Sequence, residues 1–268
     1  MKLNVLITGA GKGLGRAITN EFAKHGHYVY ASDRNYSFLK DFESRKNILP
    51  LTLDVSNPVS CHEAFEIINS KTGLLDVVIN NAGVISFFPI SECESEMLLS
   101  IFKVNVFGPL NVIQTFLPML IKSKGRVINI SSESYKIPGV FQPYSVSKLA
   151  MEAVHRSIRQ ELMLKGVKTI LIRPGAINTG FLNALKNMEL PENIPIYKND
   201  FDIFRKMAPG YTGNKADPSL VARLVYKAGT TRHPKYTYHI NNNHLLKIFA
   251  LLPERWQDLI IKKKLTPG

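Results

Sequence analysis

Tyr144 and Lys148 lie four residues apart in the run YSVSK, a spacing that puts two side chains on one face of a helix. A tyrosine ordinarily titrates near 10, about three units above neutral, so acid or base work by its hydroxyl needs a nearby cation that favours the phenolate. Lys148 is placed to supply that charge. Further hydroxyls stand in INISSES, where Ser131, Ser132 and Ser134 follow an apolar run. A hydroxyl beside the tyrosine can hydrogen-bond a substrate oxygen and steady its charge as a proton moves.

Such groups need a scaffold, and the chain opens with one. The apolar run Val5-Leu6-Ile7-Thr8 passes into Gly9-Ala10-Gly11-Lys12-Gly13-Leu14-Gly15 and then into an Ala/Ile/Phe pattern at helical spacing. That order reads as strand, glycine turn, helix. Glycines there let backbone approach a pyrophosphate, and the helix N-terminus offers unpaired N–H groups and partial positive charge. A turn that merely needs glycine is the plain alternative. Asp33, an acid about twenty residues on, favours the nucleotide reading, because it can accept from a ribose hydroxyl.

Strand-like runs fall near Val5 to Thr8, Tyr28 to Ser32, Ile48 to Leu53, Asp76 to Asn80, Arg126 to Ser131, Lys168 to Arg173 and Tyr236 to Ile240, with helix-like segments between most of them. This alternation predicts an α/β fold: a doubly wound, Rossmann-type parallel sheet of about seven strands with helices on both faces. In such sheets ligands bind outside the carboxyl ends of the strands. The glycine turn, Asp33, Asp54, the Asn80-Asn81-Ala82-Gly83 turn, Ser132 and the Pro174-Gly175 turn all fall at those ends.

Thr8, Gly9, Gly13 and Gly15 follow the spacing TGxxxGxG rather than GxGxxG. Together with NNAG at Asn80 to Gly83, Asn105 in KVNVFG, Ser132 in INISS, Tyr144 and Lys148 in YSVSK, and Arg173-Pro174-Gly175 followed by Thr179, they make the chain resemble the short-chain dehydrogenase/reductase family. The likeness runs from about Asn4 to about Thr179 and more loosely to the end. It implies hydride transfer between a nicotinamide cofactor and a carbonyl or alcohol carbon. In that scheme Tyr144 exchanges the proton with the substrate oxygen and Ser132, with Ser131 as fallback, positions that oxygen. Lys148 lowers the tyrosine pKa and reaches the nicotinamide ribose, while Asn105 bends its helix and holds a relay water.

The same resemblance implies cofactor contacts from Thr8, Gly9, Gly11, Lys12, Gly13, Leu14 and Gly15 at the turn, and from Asp33 and Arg34 after the second strand. Asp54 and Val55 would meet adenine, unless Asp54 is only a helix cap before Pro58. Asn81, Ala82, Gly83, Pro174, Gly175, Ile177 and Thr179 complete the set, the last two at the carboxamide. Dimers or tetramers burying the helices that start near Asn105 and Tyr144 are a family expectation.

Asp33 should repel a 2′-phosphate, which favours NAD, whereas Lys12 and Arg34 leave NADP open. No metal is expected: His25, His27, His233, His239 and His244 show no ligand spacing, and Cys61 and Cys93 form no metal pattern and are too few for a disulfide framework.

At 268 residues and 45% hydrophobic, the chain can bury one core as a single domain, 1–268, without splitting. It contains no run of about eighteen apolar residues, so no segment is expected to span a membrane. The first strand starts at once, leaving no room for a leader, and a cytoplasmic location is the expectation. The stretch from about 180 to 216 would be a lid, apolar through Phe181, Leu182, Leu185, Met188, Leu190, Ile194, Ile196, Tyr197, Phe201, Ile203, Phe204 and Met207. Phe87, Phe88, Tyr135 and Phe141 would add walls. An apolar lid suits a steroid, a retinoid or a long-chain alcohol or ketone, unless it simply packs on its own domain.

The tail, about 243–268, is apolar and basic around Pro253 and Trp256. It reads as a helix pair docked on the core or on a neighbouring subunit, or as a peripheral membrane contact. A formal charge of +13 and a pI near 9.7 suit an anionic surface and equally an acidic partner such as an acyl carrier protein. Nucleic acid is not expected, since the basic residues are scattered. Two further functions stay open: a reductase of carrier-bound or CoA-bound 3-ketoacyl chains, and a nucleotide-sensing regulatory protein without turnover. The intact Asn105, Ser132, Tyr144 and Lys148 set counts against the second.

Overall fold

All seven expected strands form, each within a residue or two of its expected ends: β1 (Asn4–Thr8), β2 (Tyr28–Asp33), β3 (Ile48–Thr52), β4 (Val77–Asn80), β5 (Arg126–Ile130), β6 (Lys168–Pro174) and β7 (Thr237–Ile240). This computed structural model describes residues 2–137, 139–180, 190, 194–208, 210 and 214–266. Every strand pair is parallel, in the order β3-β2-β1-β4-β5-β6-β7, with Leu6 opposite Val78 and Val78 opposite Val127. Short apolar runs with both faces covered are what a parallel sheet requires, because crossover helices shield both sides.

The helices are α1 (Gly13–Lys24), α2 (Pro58–Lys71), α3 (Ser95–Phe102), α4 (Gly108–Ser123), α5 (Pro143–Met163), α6 (Lys198–Met207), α7 (Pro218–Thr230), α8 (His244–Phe249) and α9 (Glu254–Leu265), with a π-helical turn over Lys103–Phe107 between α3 and α4. Two of them start on the same local chemistry. Asn57 and Asp217 accept from Val59 N and Ser219 N, and a proline follows each, where a missing N–H costs nothing.

Alternation along the strands divides the core. Val5, Ile7, Val77, Ile79 and Ile128 pack with Leu14, Ile18 and Phe22 of α1 and Val221 and Val225 of α7. Leu6, Val78 and Val127 face the other way, onto Cys61, Ala64 and Ile68 of α2, Val112 and Phe116 of α4 and Leu162 of α5. The helical stretch 95–123 is long and apolar enough by composition to cross a membrane, but Val112, Ile113, Phe116, Met119 and Leu120 lie buried in this second layer. A third cluster, outside the sheet, joins Phe141, Phe201 and Phe204 to Leu265 near the end of the chain. The sheet order reverses between β1 and β4, and the crevice there opens at the carboxyl ends of the strands.

Candidate active site

One cavity of about 900 Å³ follows that crevice from the glycine turn to the third cluster. At its polar end the chain leaves β1 with Gly9 at φ 65°, a left-handed conformation that a side chain would strain. A Cβ on Gly15 would stand 2.0 Å from the Gly9 carbonyl, so α1 can start this close to β1 only with hydrogen there. No side chain caps α1 at Lys12, which leaves the amides of its first turn to a ligand. Gly9, Lys12, Gly13, Leu14, Gly15, Asp33, Arg34, Asn81, Ala82 and Gly83 all border the cavity.

Asp33, at the end of β2, holds the turn while facing it: Oδ2 accepts from Gly11 N at 3.1 Å and Oδ1 from Asn35 N at 3.0 Å. The Lys12 ammonium lies 3.5 Å from the centre of the Phe38 ring, a cation–π contact, with Asp33 and Arg34 on the same wall. Phe38, at the end of a short 3-10 turn, is a cavity residue the sequence reading misses, since an aromatic there belongs to no motif.

Thr8 and Gly11 do not border the cavity; they brace it. Thr8 Oγ1 accepts from Asn81 N and Ala82 N, both at 3.1 Å, and Asn81 Nδ2 donates back to the carbonyls of Thr8 and Gly9 at 3.0 and 3.1 Å. These bonds lock the β1 and β4 ends together where the sheet order reverses. Asp54 and Val55 are also absent from the cavity wall. The Asp54 carboxylate turns onto its own loop and accepts from Ser56 N and Oγ, and Val55 is buried against Gly108. The cap before Pro58 is Asn57, not Asp54.

Farther along, β5 and α5 deliver the hydroxyls. Ser132 and Tyr144 are joined by a side-chain hydrogen bond, and Ser132 Oγ also accepts from Ser134 N and Oγ at 3.2 and 3.0 Å. Ser131, the fallback, is committed elsewhere: its hydroxyl donates at 2.6 Å to buried Glu152, whose carboxylate also takes two bonds from Arg173. The choice between the adjacent serines is thus made by tertiary contacts.

Lys148 is buried and donates from Nζ to the Ile130 carbonyl at 2.9 Å, with its ammonium 5.7 Å from the Tyr144 ring centre. Burial lowers its pKa to about 8, against a smaller upward pull from Glu152. Tyr144 goes the opposite way from the sequence expectation. Burial pushes the phenol up to about 12, and the bond with Ser132 offsets only part of this. The physical reason is desolvation of the phenolate, with the Ser132 bond against it, while the Lys148 ammonium is turned to the Ile130 carbonyl.

Asn105 sits in the π-helical turn and stays outside the cavity wall. Its Oδ1 accepts from Val84 N at 2.8 Å, and its Nδ2 donates to Val84 O and Ser147 Oγ, both at 2.9 Å. The helix departs from α geometry at this residue, in a π turn of a kind frequent at functional sites. A Cβ on Gly83 would be 3.3 Å from Asn105 Oδ1 and 3.8 Å from Lys148 Nζ, so the three residues meet.

Pro174, the last residue of β6, and Gly175, Ile177 and Thr179 after it border the cavity. Of the expected lid, Phe181, Leu182, Leu185 and Met188 lie outside the described residues, while Phe204 and Met207 border the cavity and Phe201 packs behind them. Phe87 is a wall; Phe141 is buried in the aromatic cluster, Phe88 is buried with its amide on the Phe141 carbonyl, and Tyr135 lies under the Arg173 guanidinium. The tail contributes more than expected. Leu246, Phe249, Ile260, Ile261 and Leu265 close the apolar end. Glu133, next to Ser132, fastens this tail by accepting from Asn243 N at 2.6 Å and Asn242 Nδ2 at 3.4 Å. Burial raises its pKa, and those two bonds and the nearby Lys247 and Lys136 act against the rise.

A family model described as short chain dehydrogenase matches residues 3–190. An NADPH-dependent 3-dehydrocapnine reductase from Ornithobacterium rhinotracheale is 32% identical over 97% of this chain and 96% of its own length. A 3-ketodihydrosphingosine reductase from Bacteroides thetaiotaomicron is 30% identical over 87% and 85%. Among solved structures, a short chain dehydrogenase/reductase from Burkholderia phymatum in complex with NAD superposes with a TM-score of 0.79, covering 97% of this chain and 95% of that one at 19% identity.

Proposed function

This chain belongs to the short-chain dehydrogenase/reductase family and is an oxidoreductase, and from that premise we propose that its cavity passes a hydride between a nicotinamide dinucleotide and the carbonyl or hydroxyl carbon of an apolar substrate. The observation that carries this reading is the bonded Ser132–Tyr144 pair, with the Lys148 ammonium beside it, set between a glycine cradle and an apolar chamber. The cradle suits a dinucleotide: it offers close backbone, uncapped helix amides and Asp33.

Within that site Tyr144 gives or takes the proton at the substrate oxygen, and Ser132 holds that oxygen through a second hydrogen bond. Lys148, cationic below its lowered pKa, steadies the phenolate as the proton leaves. Asn105 Oδ1 keeps one lone pair beyond its bond from Val84, enough to hold a relay water toward Lys148. Asp33 at the end of β2 favours NAD, with Lys12 held against Phe38 rather than reaching outward.

The substrate proposed is a long-chain, steroid or retinoid ketone or alcohol, supported by aromatic and aliphatic walls from Phe87, Phe204 and the tail. Both relatives are reductases in their printed descriptions, and one of the two names a 3-keto compound, which supports the carbonyl half of this reading. Exposed Phe107 and Leu149 on α4's lead-in and α5 support self-association through those helices. The deciding experiment is an absorbance assay with NADH and NADPH against steroid, retinoid, long-chain and 3-ketoacyl ketones. Turnover is expected on a long-chain or polycyclic ketone; bound cofactor with silence across the panel would transfer the weight to a nucleotide-sensing role.

A further inference from the structure

Helices α8 and α9 are two-sided. Toward the protein, Leu246, Phe249, Ile260 and Ile261 wall the cavity. Exposed to solvent stand Leu245 at 75%, Ile248, Leu251 at 85%, Trp256 at 62% and Leu259. A lone exposed leucine is ordinary, but five large apolar side chains exposed within fifteen residues, on α8, α9 and the turn between them, mark a contact surface. Leu245 also borders the cavity, so this face begins at the cavity mouth.

Charge identifies what covers it. Along 244–265, Lys247, Arg255, Lys262, Lys263 and Lys264 outnumber Glu254 and Asp258, on a chain whose formal charge is +13. Apolar side chains and a tryptophan flanked by lysines fit the boundary between headgroups and acyl chains of an anionic bilayer. A second copy of the chain would bring like charge against like.

With the cavity taken as the substrate site, as above, we propose that α8 and α9 dock on an anionic lipid surface and hold the cavity mouth against it, so that an apolar substrate enters from the bilayer. The exposed face supplies the insertion, the lysines the attraction, and the Glu133 bonds to Asn242 and Asn243 tie the docked helices to the loop that carries Ser132.

Trp256 is the chain's one tryptophan, so insertion has its own signal. Full-length protein is mixed with vesicles of equal parts phosphatidylglycerol and phosphatidylcholine, and with phosphatidylcholine alone. The expected result is flotation with the anionic vesicles, weakened by salt, with a blue shift of Trp256 emission and quenching by lipids brominated in the upper acyl chain. Leu251→Glu should lower vesicle binding about tenfold or more while NADH affinity and thermal midpoint stay at parent values, because Leu251 is exposed and outside the cavity wall. Lys262→Glu with Lys263→Glu should remove the salt-sensitive part of binding. Absence of flotation, or flotation with unchanged Trp256 emission, overturns the docking. A concentration-dependent dimer that shields Trp256 and is lost in Leu251→Glu overturns it too, since a second copy then covers the face. Vesicle binding is read without turnover, so a protein that inserts but reduces nothing would sink the active-site reading and leave docking standing.

Discussion

The Lys148 ammonium donates to the Ile130 carbonyl at 2.9 Å, at the carboxyl end of β5 and two residues before Ser132. One bond thereby fixes α5, which carries Tyr144, against the strand that carries the partner hydroxyl. With no carboxylate within bonding distance among the described residues, this buried cation takes a carbonyl, and its position follows from β5 rather than from the tyrosine four residues before it.

Tyr144→Phe keeps the ring and removes the exchangeable proton. Turnover should fall about a thousandfold, with NADH affinity unchanged within about twofold, by steady-state kinetics and fluorescence titration. Activity near the parent level would sink the assignment of Tyr144.

Asp33→Ala removes the carboxylate from the end of β2 along with its bonds from Gly11 N and Asn35 N. The ratio of NADP to NAD affinity should rise about tenfold or more, read from the two dissociation constants in parallel. An unmoved ratio would hand cofactor choice to Lys12 and Arg34.

Gly15→Ala places a methyl 2.0 Å from the Gly9 carbonyl and 2.5 Å from Asn81 Nδ2. Both neighbours are backbone or backbone-bonded, so α1 must move; stability should drop by about 2 kcal/mol or more and dinucleotide affinity with it. Gly26→Ala is the control: its Cβ meets open space at φ 78°, and only about 1 kcal/mol of backbone strain is expected.

Asn105→Ala removes from the π turn the side chain that pairs Val84 N–H and Val84 C=O, while the Ser147 hydroxyl loses one donor and keeps its own bond to the Tyr144 carbonyl. Denaturant midpoints should report a loss of about 2–4 kcal/mol. A loss well under about 1 kcal/mol would mean that these bonds do not form in solution.

His155 gives a pH dependence with a definite sign. Its ring is buried, its Nδ1 pairs with Asn129 Nδ2 at 2.9 Å, and burial, with Arg159, Arg173 and Arg156 adding, lowers its pKa to about 4. The unfolded chain takes up the proton near 6.5 and the folded one only near 4, so stability falls as pH drops through that window and levels below it. The loss should be on the order of 3 kcal/mol. His155→Gln, which can still accept from Asn129, should flatten this slope in urea melts between those pH values; an unchanged slope would assign the acid sensitivity to other groups.

Much of this protein could be read along the chain. Strands declare themselves through short apolar runs, because a parallel sheet buries both faces, and the glycine turn, Asp33, Asn81 and the Tyr144/Lys148 pair through local spacing. The distinctions that needed the fold are those between residues with equal local credentials. Ser131 and Ser132 are neighbours of one type, and only Glu152, held by Arg173, claims the first and leaves the second to Tyr144. Asp54 follows β3 much as Asp33 ends β2, yet its carboxylate closes on Ser56 while that of Asp33 meets the glycine turn. The direction of the Tyr144 shift was also hidden, since helical spacing brings a lysine near but says nothing about how much water burial removes from both groups. Sequence determined the elements and their order, because propensity and periodicity are local; which side chains share the cavity, and that the distant tail helps wall it, was decided by packing between residues more than a hundred positions apart.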